Sequence, residues 1–251
     1  MLTRSVALTF NLIVVHALLG QASVGRELVP NGSFEEVSGT VKTWDQFPLV
    51  TGWSNVTLGI SEVFDRGAPS KSVGIPENDY GSIEPKNGDR YSGFFAWKDD
   101  KRYNMYAEGL QDPVADGWNV YAEYIQVELR EPLEEDKTYA ISFWVALAQH
   151  SDRAVSAIGA YCSPFPLAFQ HRKFLAESAD VYTEAILDQR GEWVEISGTF
   201  VAYGEETHLI IGTFPYVGFD TKKIVEGPDN QYAYYYVDQV SLKEVVPDLG
   251  N

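Results

Sequence analysis

Between Thr138 and Gln149 the chain reads TYAISFWVALAQ, and its side chains alternate. Ile141, Phe143, Val145 and Leu147 fall on one face, and Ala140, Ser142, Trp144 and Ala146 on the other. A period of two belongs to a strand with one buried face; a helix would repeat its apolar residues every three or four positions. The pattern returns in EWVEISGTFVA, where Val194, Ile196 and Phe200 alternate with Trp193, Glu195, Ser197 and Thr199. VTLGISEVF, RYSGFFAW, AEYIQVELREPL, AVSAIGAYC and THLIIGTF are further strand candidates, separated by turn-rich NGD, EEDK, RGE and YGEE. Many strands with little helical periodicity predict an all-β sandwich or barrel.

Two stretches lack clean alternation, residues 98–120 and 163–190, and are expected to be long loop insertions. A short helix is expected near Lys173–Leu187 (KFLAESADVYTEAIL). No internal repeat or linker divides the chain, so one domain is expected over 27–245 with a tail at 246–251. Ahead of it, Arg4 precedes an apolar run from Val6 to Gly20 followed by small residues, the pattern of a signal peptide over residues 1–22. The run is short for a membrane span and is interrupted by Asn11 and His16, so the mature chain is expected to be exported, to the periplasm, the cell surface or beyond, without membrane insertion. The single cysteine, Cys162, allows no internal disulfide and reads as a small buried hydrophobe. A formal charge of −17 argues against nucleic acid or an anionic membrane as partner.

The last strand-like run, AYYYVDQVSL, poses a problem. Asp238, Val240 and Leu242 share a face if the strand is regular, and a carboxylate facing a core is costly unless hydrogen-bonded, paired or metal-bound. Near the other end LVPNGSFEE sets Glu35 beside Phe34. If the ends meet, the two carboxylates converge, and calcium, which takes six to eight oxygens at about 2.3–2.6 Å, would suit them. The alternative is a hydrogen bond from Asp238 to backbone or to a tyrosine hydroxyl.

These two motifs, N-x-[GS]-F-E near the start and Y-x-D-x-V-x-L at the close, resemble those of jelly-roll carbohydrate-binding modules of the galactose-binding-like fold, such as cellulose- and xylan-binding modules. The fuller pattern is similar to a bacterial extracellular domain found ahead of outer-membrane-protein-A-like domains: LVPNGSFEE, Trp53 in GWSN, GDRYSGFFAW, the run from Glu123 to Ser151, WVEISGTFVAYGEETHLIIGTF and YYYVDQVSL. No peptidoglycan-binding domain follows within these residues, a departure that leaves cell-wall anchoring out of the expectation. The resemblance implies a jelly-roll β-sandwich of two antiparallel sheets and a structural calcium held by Glu35 and Asp238. Carbonyls near Gly32 and in the KNGDRYSG turn (Lys86, Asp89) are weaker ligand candidates.

Sugars are held by aromatic faces with a few polar groups fixing orientation. Trp97, Tyr103, Tyr106 and Trp118 lie in or beside the first long loop, with Asp99, Asp100, Asp116 and Asn119 nearby, and Trp144 lies on the less apolar face of its strand. These are the expected ligand-binding residues. Catalytic signals are weaker: the four histidines lack zinc-ligand spacing, and neither a G-x-S-x-G elbow nor a phosphate loop is present. In so acidic a chain a carboxylate pair at glycosidase spacing carries little information. The first expectation is therefore a binding module for a carbohydrate or cell-surface glycan. The second is a structural or adhesive surface protein using the sandwich for protein contacts or self-association, and the third a polysaccharide-acting enzyme. Two sequons, NGS at Asn31 and NVT at Asn55, are expected to be coincidental.

Overall fold

The computed structural model describes residues 23–99, 120–225 and 232–246. The expected signal peptide and nearly all of the expected tail lie outside these residues. Strands β1 to β8 are Ser23–Glu27, Trp53–Asn55, Glu62–Asp65, Glu77–Asn78, Gly81–Ser82, Arg90–Asp99, Val120–Tyr121 and Ile125–Glu128. Strands β9 to β16 are Thr138–Leu147, Arg153–Val155, Ile158–Ser163, Val181–Tyr182, Val194–Val201, His208–Thr213, Thr221–Lys223 and Tyr232–Val246. Among the described residues the helical turns are short 3₁₀ segments, and no helix is long and apolar enough to cross a membrane.

Two antiparallel sheets form a jelly-roll-like sandwich. One has the order β13-β9-β16-β6-β3, with β1 added beside β16 and β7 beside β6; the other has the order β12-β11-β14-β8-β2. Phe94, Phe143, Val145, Tyr235 and Val237 of the first sheet meet Ile125, Val127, Ile158, Leu209 and Ile211 of the second in one buried cluster. Cys162 is a free thiol buried in that core, and burial pushes its pKa up. Without a disulfide the sandwich rests on this burial, about 1.5–3 kcal/mol for each large apolar side chain removed from water.

Part of each outer face is covered by the chain's own segments. On the seven-stranded sheet, residues 70–85 lie over Phe64, Tyr91, Tyr234 and Tyr236. The Tyr80 ring stacks on Tyr234 at 3.8 Å, and Asn78 joins the hydroxyls of Tyr91 (3.0 Å) and Tyr236 (2.7 Å). On the five-stranded sheet, Leu167 and Leu175 pack on Val56, Tyr124, Ile210 and Phe214.

The short helix expected near Lys173–Leu187 does not form. Leu175 donates its N–H to the Tyr124 hydroxyl (3.2 Å), Asp180 accepts the Cys162 N–H (2.8 Å), and Val181–Tyr182 pair with β11 as β12. Contacts with the sheet beneath replace the internal ladder a helix would need, and β-branched Val181 and Thr183 lose little by staying extended. The VTLGISEVF run is likewise not one strand: residues 56–61 bend between β2 and β3, where Asn55 accepts the Ser61 N–H (2.9 Å).

Strand β16 resolves the problem of Asp238. Gln239 has φ +51, and the pairing with β9 slips between Asp238 and Ser241. Asp238 lies opposite Trp144 and Leu242 opposite Ile141, residues of opposite parity on β9. The bulge thus turns Asp238 to the outward face while Leu242 stays in the core.

Candidate functional site

The two chain ends meet. Val240 donates its N–H to Gly32 O (2.8 Å), and Leu28 donates to Leu242 O (2.9 Å). A Cβ on Gly32 would lie 2.0 Å from Val240 O, so this approach requires glycine. The LVPNGSFEE turn is irregular, with φ +50 at Asn31 and +60 at Phe34, whose ring is fully buried against Phe47 and Trp53.

Glu35 and Asp238 then close on one turn, Lys86–Arg90. Glu35 Oε1 accepts the N–H groups of Asp89 and Arg90, both at 2.9 Å. Asp238 Oδ2 accepts from Asn87 N (3.0 Å) and Oδ1 from Gln239 N (2.7 Å). Gly88, at φ +72, is the pivot: a Cβ there would fall 2.2 Å from Glu35 Oε1. Arg90 braces the turn from outside, with Nη1 2.9 Å from Glu35 O and Nη2 2.9 Å from Asp65 Oδ2. Burial pushes the Asp238 carboxyl up to about 7; the amides that donate to it pull it down and the Glu35 charge pushes it further up.

Of the weaker carbonyl candidates, Gly32 O accepts the Val240 N–H (2.8 Å) and Asp89 O the Arg66 N–H (3.1 Å), which leaves each oxygen one lone pair. Beyond the main chain, the Asp89 carboxylate pairs with Arg66 Nε at 3.0 Å, and Lys86 Nζ lies 3.4 Å above the centre of the Trp144 ring. Among the described residues no group of three or more His, Cys, Asp or Glu side chains is arranged around a common metal position. A cation at the clasp would therefore be shared by Glu35 and Asp238 and completed by main-chain carbonyls. Each carboxylate oxygen that accepts an N–H still has lone-pair capacity, so the donor set is compatible with calcium.

Of the expected ligand-binding aromatics, Tyr103, Tyr106 and Trp118 lie outside the described residues. Trp97 is half-buried, with the Arg153 guanidinium 5.0 Å from its ring. Trp144 is half-buried on the outward face of β9, opposite Glu195 on β13 and Asp238 on β16. Next along that face Ser142 lies opposite Ser197 and Ser241. Glu195 and Ser197 are exposed. An aromatic ring with hydroxyls and carboxylates around it has the chemistry of a sugar platform.

Sequence reasoning passed over a second acidic pair. Glu62 on β3 and Glu123 ahead of β8 are both buried. The Tyr234 hydroxyl donates to Glu62 Oε2 (2.6 Å), the Tyr80 hydroxyl lies 3.4 Å from Glu62 Oε1, and Glu123 accepts from the Tyr121 hydroxyl and the Phe95 N–H (2.9 Å). The signal was there: each is an acid inside an apolar strand-like run, as Asp238 is. The two sequons are tied into the fold: the Asn31 amide donates to Glu36 O and Thr51 O, and Asn55 Oδ1 accepts from Ser61.

An antiparallel sandwich with clasped ends and partly covered outer faces is the class of domain these features define. No protein-family model matches the sequence, and no curated protein matches it. Among solved structures, the chain is similar to the CBM22-1 xylan-binding domain of Xyn10C from Paenibacillus barcinonensis: 12% identity over 90% of this chain and 96% of that one, TM-score 0.41. It is similar also to the K1 cleaved adhesin domain of Lys-gingipain from Porphyromonas gingivalis W83 (10% identity, 88% and 99% covered, TM-score 0.40). A third is the N-terminal cellulose-binding domain of β-1,4-glucanase C from Cellulomonas fimi (11%, 74% and 89%, TM-score 0.33). With TM-scores below 0.5, the overlap is too loose to carry a function from any of them to this chain.

Proposed function

We propose that this chain is an exported binding module that takes a carbohydrate on the outward face of β9 and β13, with Trp144 as the stacking ring. One observation carries the reading: Trp144 is held half-exposed on a sheet face whose neighbours, Ser142, Ser197 and Glu195, are polar. Lys86 lies over the ring, where its ammonium occupies the face a sugar would stack on and supplies donors for hydroxyls at its edge. Affinity electrophoresis or a glycan array tests this with wild type and Trp144→Ala. Binding by wild type, lost in the variant, supports the site; retained binding moves it elsewhere. No glycan binding, with self-association in solution, favours the adhesive reading, and product release from a polysaccharide favours an enzyme.

A structural calcium at the clasp belongs to the same proposal. Its ligands are Glu35 and Asp238 with carbonyls of the Gly32 and Lys86–Asp89 turns, and its effect is to relieve the repulsion between two carboxylates brought to one turn. A cation that binds only the folded chain raises the melting temperature. At calcium a hundredfold above its Kd, the gain is about 2.7 kcal/mol. Chelator should reverse it, and Asp238→Asn should abolish it; an unchanged melting curve with and without calcium rejects the metal.

A further inference from the structure

The buried pair Glu62 and Glu123 has no part in that reading, yet it joins six segments of the chain. Glu62 (3% exposed) comes from β3 and Glu123 (1% exposed) from the link between β7 and β8. Facing them are Tyr234 from β16, Tyr80 from the 70–85 cover, Tyr121 from β7 and the Phe95 N–H from β6. Glu123 also donates its own N–H to Phe95 O (2.9 Å). Among the described residues the charged groups around the cluster are few. Lys98 Nζ lies 4.8 Å from the Phe95 ring centre and 6.0 Å from that of Tyr121, and the Arg172 guanidinium lies 5.4 Å from Tyr121. Asp45 adds a negative field at both glutamates.

We propose that Glu62 and Glu123 form an acid-closed latch. While they hold protons, the 70–85 cover sits on the outer face of the large sheet; when both ionise, their repulsion lifts Tyr80 and its segment away.

The geometry supports this in two ways. First, among the described residues the direct partners of these carboxyls are hydroxyls and an amide, with neither lysine nor arginine, and the Lys98 charge offsets only a small part of the burial at Glu123; two ionised carboxylates there would be poorly compensated. Burial pushes Glu123 up to about 8, and burial followed by the Glu123 charge pushes Glu62 up as well. Second, Tyr80 is one of the points at which the cover grips the sheet, beside the Asn78 bonds to Tyr91 and Tyr236. Its ring lies flat on Tyr234 with 2° between the planes, and the Tyr234 hydroxyl is bonded to Glu62. A change of charge at Glu62 is therefore felt at a stack that helps to fix the cover.

The direction follows from linkage. The folded pKa of Glu123 is raised above its ordinary 4.5, so the folded chain holds a proton that the unfolded chain has released. Its contribution to stability is full below about pH 4.5 and is lost as pH rises towards 8. The unfolding constant increases about tenfold per pH unit for each proton held.

Hydrogen exchange of the full chain at pH 6 and pH 9, corrected for intrinsic rates, tests the latch. Peptides covering 77–83 should lose at least tenfold protection at pH 9, while those covering 164–180, on the opposite sheet, should not. In E62Q/E123Q the pH-dependent loss should vanish. Equal loss in both segments, no loss in 77–83, or the same loss in the variant overturns the proposal. If the variant does not fold, carboxyl carbon NMR of the wild type decides: two glutamate signals titrating above pH 7 support the latch, and all glutamates titrating below pH 6 overturn it.

Discussion

Two acidic pairs lie against the same large sheet and are met by different donors. Glu35 and Asp238 are met by main-chain N–H groups of one glycine-bearing turn, with Arg90 alongside. Glu62 and Glu123 are met mostly by tyrosine hydroxyls inside an aromatic cage of Phe64, Phe95, Tyr80 and Tyr234. Amides converging on an oxygen can only donate to it; a hydroxyl can donate to a carboxylate or accept from a neutral carboxyl. The clasp therefore gathers main-chain donors around carboxylates that a cation could also reach, and the cage surrounds its carboxyls with hydroxyls. Both join parts of the chain that are distant in sequence: the clasp ties the termini and the cage ties a cover.

The largest expected effect is at the clasp. Gly32→Ala sets a methyl group against the Val240 carbonyl, a main-chain atom that can move only if β16 moves. Overpacking of this kind costs about 1–3 kcal/mol, and contact with a main-chain atom puts Gly32→Ala at the upper end, to be read as a lowered urea midpoint with unchanged slope. Gly88→Ala should cost somewhat less, because the nearest atom is the end of the Glu35 side chain. Equal and negligible losses at both positions would mean that the ends are not clasped in this way.

A smaller effect distinguishes the cage from the clasp. Tyr234→Phe removes the hydroxyl that donates to Glu62. A hydrogen bond to a neutral carboxyl is worth about 1 kcal/mol, whereas one to a charged group is worth about 1.5–3 kcal/mol. Denaturation of the variant at pH 6 should show a loss near the lower figure. A loss at pH 6 near the upper figure would put a charge on Glu62 and make the two pairs alike.

How much of this could be read from the sequence depended on burial. Strands β9 and β13 were legible because each has one wet face, so Trp144 could be assigned to the outward side from alternation alone. Strands β6 and β16 are buried on both faces, since residues 70–85 cover the outer one, and there alternation gives way to a continuous aromatic run. The parity of Asp238 was misread for a local reason: nothing in Val-Asp-Gln-Val announces that Gln239 takes a positive φ. The terminal motifs led to Glu35 and Asp238, whereas Glu62 and Glu123 stand in runs that simply read as strands. Segment 173–187 was misjudged because the groups that fix it, Tyr124 and Cys162, lie far away in sequence.

The smallest expected effect falls where the clasp turn meets the outward tryptophan. Lys86 belongs to the turn held by Asp238, and its ammonium lies over Trp144, which pairs with Asp238 across the strands. Lys86→Ala removes a cation–π contact at a half-exposed site, worth about 0.5–1 kcal/mol. The turn should survive, because its hydrogen bonds to Glu35 and Asp238 use the backbone. Stability should thus fall by less than 1 kcal/mol while tryptophan emission changes as the ring loses its cover. If Lys86 only shields the ring, the variant should bind glycan more tightly than wild type; if its ammonium also donates to a sugar hydroxyl, binding should weaken. Either change ties the platform to the clasp, whereas binding identical to wild type would separate the two and place the sugar away from Trp144.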